Sequence, residues 1–103
     1  MNDKSFWVIK SESGAYRGGW YENRKDLNDL KEYAVIPDGA KKKDFQYVED
    51  WTDSKSVRFK FSSKGEAQDV LDTLEYELGG SYRIVKINVV PKGTLNQDDE
   101  GGP

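Results

Sequence analysis

The stretch "AKKKDFQY" sets Lys41, Lys42 and Lys43 just ahead of Phe45 and Tyr47, and it is the only basic cluster in the sequence. Ammonium groups can neutralise phosphates while neighbouring rings stack on bases, so the composition is one that nucleic-acid binding uses. Three lysines in a loop after the "PDG" stop are more often simply solvated. A second set of reactive groups, Glu66, Asp69, Asp72, Glu75 and Glu77, falls in "KGEAQDVLDTLEYEL". Clustered carboxylates can raise one another's pKa and share acid–base work, but on the outer side of an amphipathic helix they are normally hydrated. The same acidic strip could imitate a nucleic acid, although five carboxylates are few for that purpose. "GAYRGGW" is glycine-rich, yet it lacks the Gly-Lys-Ser/Thr ending and the strand–loop–helix setting of a phosphate loop.

The missing residue types narrow the chemistry further. The chain has no histidine and no cysteine. The commonest general base, the commonest transition-metal ligand and every thiolate are therefore absent. No "D-x-D-x-D-G" calcium loop is present either. The expectation is a protein without catalytic residues, metal or cofactor.

Thirteen aromatic residues in 103 supply a surplus of groups that serve cores and contact surfaces alike. Trp, Tyr and Arg dominate binding hot spots, so Trp20, Tyr21 and Trp51, together with Lys41, Lys42 and Lys43, are the expected partner-binding residues. The formal charge of -3 is uneven, with 12 basic against 11 acidic residues in 1–60 and 4 against 8 in 61–103. Mild acidity of this kind argues against broad, nonspecific DNA binding and leaves room for a local basic patch.

The elements that must hold these residues are partly explicit. "FWVIK", "SESG" and "AYRGGWYE" predict a β-hairpin, with Gly18-Gly19 marking a bulge, a strand end or a close backbone approach. Leu27, Leu30 and Ala34 have helical spacing sufficient for two turns before Pro37, although residues 22–44 read equally as an irregular insertion. "DFQYVEDW" alternates as a strand. "SVRFKF" alternates most cleanly, with Val57, Phe59 and Phe61 toward the core and Arg58 and Lys60 toward water. Ser63 and Glu66 have the spacing of a capping box, Ala67, Val70, Leu71, Leu74 and Leu78 form one apolar stripe, and Gly79-Gly80 ends the helix. "SYRIVKINVV" returns as a strand.

These signals predict a single α+β domain over residues 1–91, an antiparallel sheet of about four to five strands with one amphipathic helix, about 63–78, on one face. Residues 92–103 are expected to form a disordered acidic tail, being too poor in apolar side chains to offset the entropy of ordering. With one helix on the sheet, the other face is expected to carry Arg58, Lys60, Lys86 and Tyr82 in solvent. No run is long and apolar enough for a bilayer span, and "MNDKSFWVIKSES" lacks the pattern of a secretory leader, so a soluble, unprocessed chain is expected.

The order "FWVIKSESGAYRGGW", "WTD", "FSSKGEA" and "YRIVKI" resembles a loose class of small bacteriophage-encoded accessory proteins. These share a hairpin, a strand, a helix carrying S-K-x-E-A and a final strand. The resemblance spans residues 6–21 and 51–90, with 22–50 as an insertion. It implies a phage context in the cytoplasm of a bacterial host, a sheet with one packed helix, and no catalytic residues to carry over. The function expected is binding and modulation of a host macromolecule through a protein–protein surface, inhibition included. The alternatives are a nucleic-acid-binding module built on Lys41–Lys43, Arg58, Lys60 and exposed rings, and an acidic mimic of nucleic acid that inhibits a host defence enzyme.

Overall fold

Two apolar runs, "FWVI" and "RIVKI", pair at the centre of the molecule and bury both of their faces. The computed structural model describes residues 4–89 and 98–101 of the chain. Strands β1 (Lys4–Ser11), β2 (Tyr16–Asn23), β3 (Phe45–Thr52), β4 (Tyr82–Val89) and β5 (Asp98–Gly101) form one antiparallel sheet in the order β3-β2-β1-β4-β5. One helix, α1 (Lys64–Leu78), packs on β1 and β4. The α+β architecture and the helix limits agree with the sequence expectation. Within the tail expected to lack order, Asp98–Gly101 lies as a strand beside Lys86–Val89. The rest of 92–103 falls outside the described residues.

Register explains the two-sided core. Ile9 faces Ile84 and Val8 faces Val85, so successive residues of each strand point to opposite faces. On the helix side Ile9 and Ile84 meet Ala67, Leu71 and Leu74, with Trp7, Trp51, Phe61, Val70 and Tyr82 around them. On the other side Val8, Val85, Ile87 and Tyr16 form a second cluster with Phe6. Val8 and Ile87 are fully buried there, which corrects the expectation of an open, wet second face. Tyr82 and Lys86 share the helix side with Trp7, since Lys86 pairs with Trp7 and its ammonium sits 5.9 Å from the indole centroid.

The hairpin is joined only at its base. Ser11 N–H donates to Ala15 C=O at 2.9 Å and Lys10 pairs with Tyr16, after which β1 and β2 part. The segment 57–61 fills the gap. It bonds first to β2 and then to β1: Gly19 N–H to Val57 C=O at 3.1 Å and Phe59 N–H to Arg17 C=O at 3.0 Å, followed by Trp7 and Phe61 to each other at 2.8 and 2.9 Å. The predicted strand is thus a wedge held by isolated bridges at Arg58 and Phe61. Val57, Phe59 and Phe61 do share a side, but Arg58 is only 5% exposed rather than solvated. Its guanidinium lies 5.0 Å from the Phe6 ring centroid and 4.8 Å from that of Tyr16, a geometry in which cation–π attraction offsets part of the desolvation.

The helix begins where Ser63 Oγ accepts from Glu66 N–H at 3.2 Å. Glu66 reaches back one residue further than a capping box does, accepting from Ser62 N–H and Oγ at 3.1 and 2.9 Å. Gly79, at φ 69°, ends the helix and its N–H donates to Glu75 C=O. Leu78 is 57% exposed, so the buried stripe stops at Leu74. Ser63→Ala removes the first acceptor and is expected to cost about 1 kcal/mol, lowering the thermal midpoint by roughly 4–8 °C in a melt followed by circular dichroism.

Candidate interaction surface

Asn23, Asp26 and Asp29 recur every third residue, and each turns its side chain onto nearby backbone. Asn23 Oδ1 accepts from the N–H groups of Lys25 and Asp26, both at 3.0 Å, Asp26 Oδ1 from Asn28 N–H at 3.0 Å, and Asp29 Oδ1 from Lys31 N–H at 3.2 Å. Side-chain acceptors that take local N–H groups compete directly with helical bonding. The two helical turns suggested by Leu27, Leu30 and Ala34 are accordingly replaced by a chain of turns.

Longer ties hold this loop to the sheet. Asn23 Nδ2 and Tyr33 Oη both donate to Asp29 Oδ2, at 3.1 and 2.8 Å. Tyr33 exchanges backbone bonds with Tyr21 at 2.7 and 3.0 Å, and its ring meets Phe45 edge-on at 5.5 Å. Thr52 Oγ1 donates to Glu32 Oε1 at 2.5 Å, and Arg24 N–H to Asp44 C=O at 2.7 Å closes the loop at its neck. Apolar side chains that these ties leave outside stand in water: Leu27 is 82%, Leu30 87% and Val35 72% exposed. A shallow groove of about 460 Å³ lies between the loop's two arms, lined by Asn23, Lys25, Asp26, Lys41, Asp44 and Phe45 among others.

Hydrogen bonds from Tyr33 and Asn23 and from the Lys31 backbone hold the Asp29 carboxyl below its ordinary value, and the same contact with Asp29 pushes the Tyr33 hydroxyl up. A carboxyl with a depressed folded-state pKa contributes its stabilisation above the ordinary carboxylate pKa and loses it as pH falls through the depressed value. The loop is therefore expected to loosen selectively in acid. Hydrogen exchange at Lys31 N–H, measured as protection relative to the free-peptide rate, should fall below about pH 4 before the helix amides respond.

The residues expected to bind a partner are distributed unevenly. Trp20 is only 4% exposed and its Nε1 donates to Glu22 Oε2 at 3.2 Å, so it is a packing residue and is withdrawn from the surface. It shares the buried side of β2 with Tyr16 and Gly18. Tyr21 is half-buried and meets Tyr47 edge-on at 5.2 Å. Trp51 is half-buried, stacked on Tyr82 at 5.0 Å with the Arg17 guanidinium 5.3 Å from its ring centroid. Lys41, Lys42 and Lys43 are exposed on and just before a short 3-10 turn, Lys42–Asp44, that leads into β3. Asp26 and Asp44 in the adjoining groove dilute their charge.

Leu27, Leu30 and Val35 were not singled out by sequence reasoning as contact residues. The signal was present in the threefold Asn/Asp spacing, which marks turns and so leaves the leucines without a helix face to bury. Tyr47 is 47% exposed, and burial of its hydroxyl, then the Glu49 carboxylate, push its pKa up. Among the described residues no group of three or more His, Cys, Asp or Glu is placed to hold a metal ion, and no helix is long and apolar enough to cross a membrane. No family model, no curated protein and no solved structure matches the chain.

Proposed function

We propose that this chain is a non-enzymatic binding module that engages a protein partner through the 24–44 loop, with Leu27, Leu30 and Val35 as its apolar contacts. The observation that carries the reading is the conjunction of exposure and restraint. Three aliphatic side chains project from a segment whose backbone is tied by side-chain acceptors at Asn23, Asp26 and Asp29 and by the Tyr33–Tyr21 bridge. A segment ordered before contact loses less entropy on binding, and apolar groups that meet a complementary pocket supply the gain. Lys41–Lys43 at the loop's far arm would guide an acidic partner and set orientation more than affinity. The resemblance to phage accessory proteins supports a bacterial host macromolecule as the partner, met in the cytoplasm.

Affinity capture from bacterial lysate on the immobilised chain, with and without nuclease treatment, tests this. The reading predicts one protein species retained equally in both arms. Retention of nucleic acid alone, or of protein that nuclease releases, would replace it with nucleic-acid binding at Lys41–Lys43.

A further inference from the structure

Strand β3 forms one margin of the sheet. Its partner β2 uses the odd-numbered residues Arg17, Gly19 and Tyr21 for bonds on its inner side, to Phe59, Val57 and Tyr33. The even-numbered residues of β2 consequently bond to β3, and in the register Gly18↔Asp50 and Trp20↔Val48 they meet even-numbered residues there. The N–H and C=O groups of Phe45, Tyr47, Glu49 and Trp51 therefore point off the open edge. Two of these donors are occupied locally, Trp51 N–H by Asp50 Oδ1 at 2.8 Å and Phe45 N–H by Lys42 C=O. Among the described residues, Tyr47 and Glu49 remain as a short template at the middle of the edge. No proline or lysine interrupts Phe45–Thr52 to blunt it.

We propose that this edge pairs antiparallel with β3 of a second copy of the chain about Val48, joining the two sheets into one. The side chains select both partner and register. Pairing about Val48 sets Tyr47 opposite Glu49, Gln46 opposite Asp50 and Phe45 opposite Trp51, with Val48 meeting its own counterpart. Every carboxylate then faces a neutral hydrogen-bonding side chain. Sliding by two residues in one direction opposes Asp44 to Asp50 twice, and in the other opposes Glu49 to itself, arrangements that like-charge repulsion disfavours. Sliding by one residue sets outward-pointing backbone groups against inward-pointing ones and forms no ladder. The favoured register makes four backbone bonds, from Tyr47 N–H to Glu49 C=O, from Glu49 N–H to Tyr47 C=O, and their symmetry mates.

Sedimentation velocity over a concentration series is the test, and exposed Gln46 is the residue to vary. The wild-type chain is expected to dimerise reversibly. Gln46→Asp places a carboxylate opposite Asp50 of the second copy, twice by symmetry, and should weaken the dimer about 5-fold. Gln46 also faces Glu22 within its own chain, so the double substitution Gln46→Asp, Asp50→Asn separates the two causes. It restores the carboxylate–amide pair across the dimer and leaves the contact with Glu22 repulsive. Recovery of wild-type association in the double variant supports the pairing. A wild-type chain that sediments as a monomer up to roughly 1 mM, or a dimer that Gln46→Asp leaves unchanged, overturns it.

Discussion

Gly18→Ala is expected to destabilise the fold by about 3 kcal/mol and to lower its thermal midpoint by roughly 12–24 °C. A Cβ at this position would stand 2.5 Å from Val57 O and 2.9 Å from the Arg58 Cα. Both atoms are backbone, and both belong to the wedge that holds β1 and β2 apart. Relief requires the wedge to move, and with it the bonds from Gly19 N–H to Val57 C=O and from Phe59 N–H to Arg17 C=O. The neighbouring substitution gives the contrast. A Cβ on Gly19 would come closer still, 2.0 Å from Tyr47 Oη, but that atom is the far end of a side chain on an edge strand. The Tyr47 ring can swing aside, so Gly19→Ala should cost about 1 kcal/mol or less, plus whatever the Phe59 ring edge at 3.0 Å resists. Thermal melts of the two variants, measured side by side, check the order. A Gly18→Ala chain as stable as wild type would mean that the 57–61 segment does not lie against β2.

Those glycines were legible in the sequence as a point of close approach, though not what approaches. The helix was more fully legible, because cap, stripe and glycine stop are local signals and each acts within a few residues of itself. "SVRFKF" was harder. Strict alternation identifies which residues share a side, and Val57, Phe59 and Phe61 do share one, but it does not say whether the opposite side meets water. Here it meets Phe6 and Tyr16, and Arg58 is buried between them. The better clue lay elsewhere: "FWVI" and "RIVKI" do not alternate, and a strand with apolar residues at consecutive positions has two faces to bury. Trp20 yields to the same logic, since it keeps step with Tyr16 and Gly18 on the covered side of β2. For residues 22–44 the leucine spacing left helix and irregular loop equally open, and the Asn23, Asp26 and Asp29 acceptors are what decide for the loop.

The second large effect falls on binding and leaves the fold intact. Leu27 and Leu30 are 82% and 87% exposed, so replacing both with serine removes apolar surface that the folded chain does not bury. Stability should change by less than about 0.5 kcal/mol. Partner affinity should fall at least about 30-fold, because two truncated contact residues at the centre of an interface commonly cost more than about 2 kcal/mol together. Asn23→Ala approaches the same surface from behind. It leaves the leucines in place and removes the acceptor for Lys25 and Asp26 N–H and the donor to Asp29, so the loop should loosen and affinity should fall by a smaller factor. A smaller loss from Asn23→Ala than from the paired leucine substitution would separate the contact itself from its preorganisation.

The most direct measurement is calorimetric titration of the captured partner with wild-type chain and with the Leu27→Ser, Leu30→Ser variant, after confirming that both melt at the same temperature. Binding that is lost in the variant and kept when Lys41, Lys42 and Lys43 are changed to alanine is the predicted result. Equal affinity of the leucine variant and the wild type would contradict the assignment of the 24–44 loop as the contact surface.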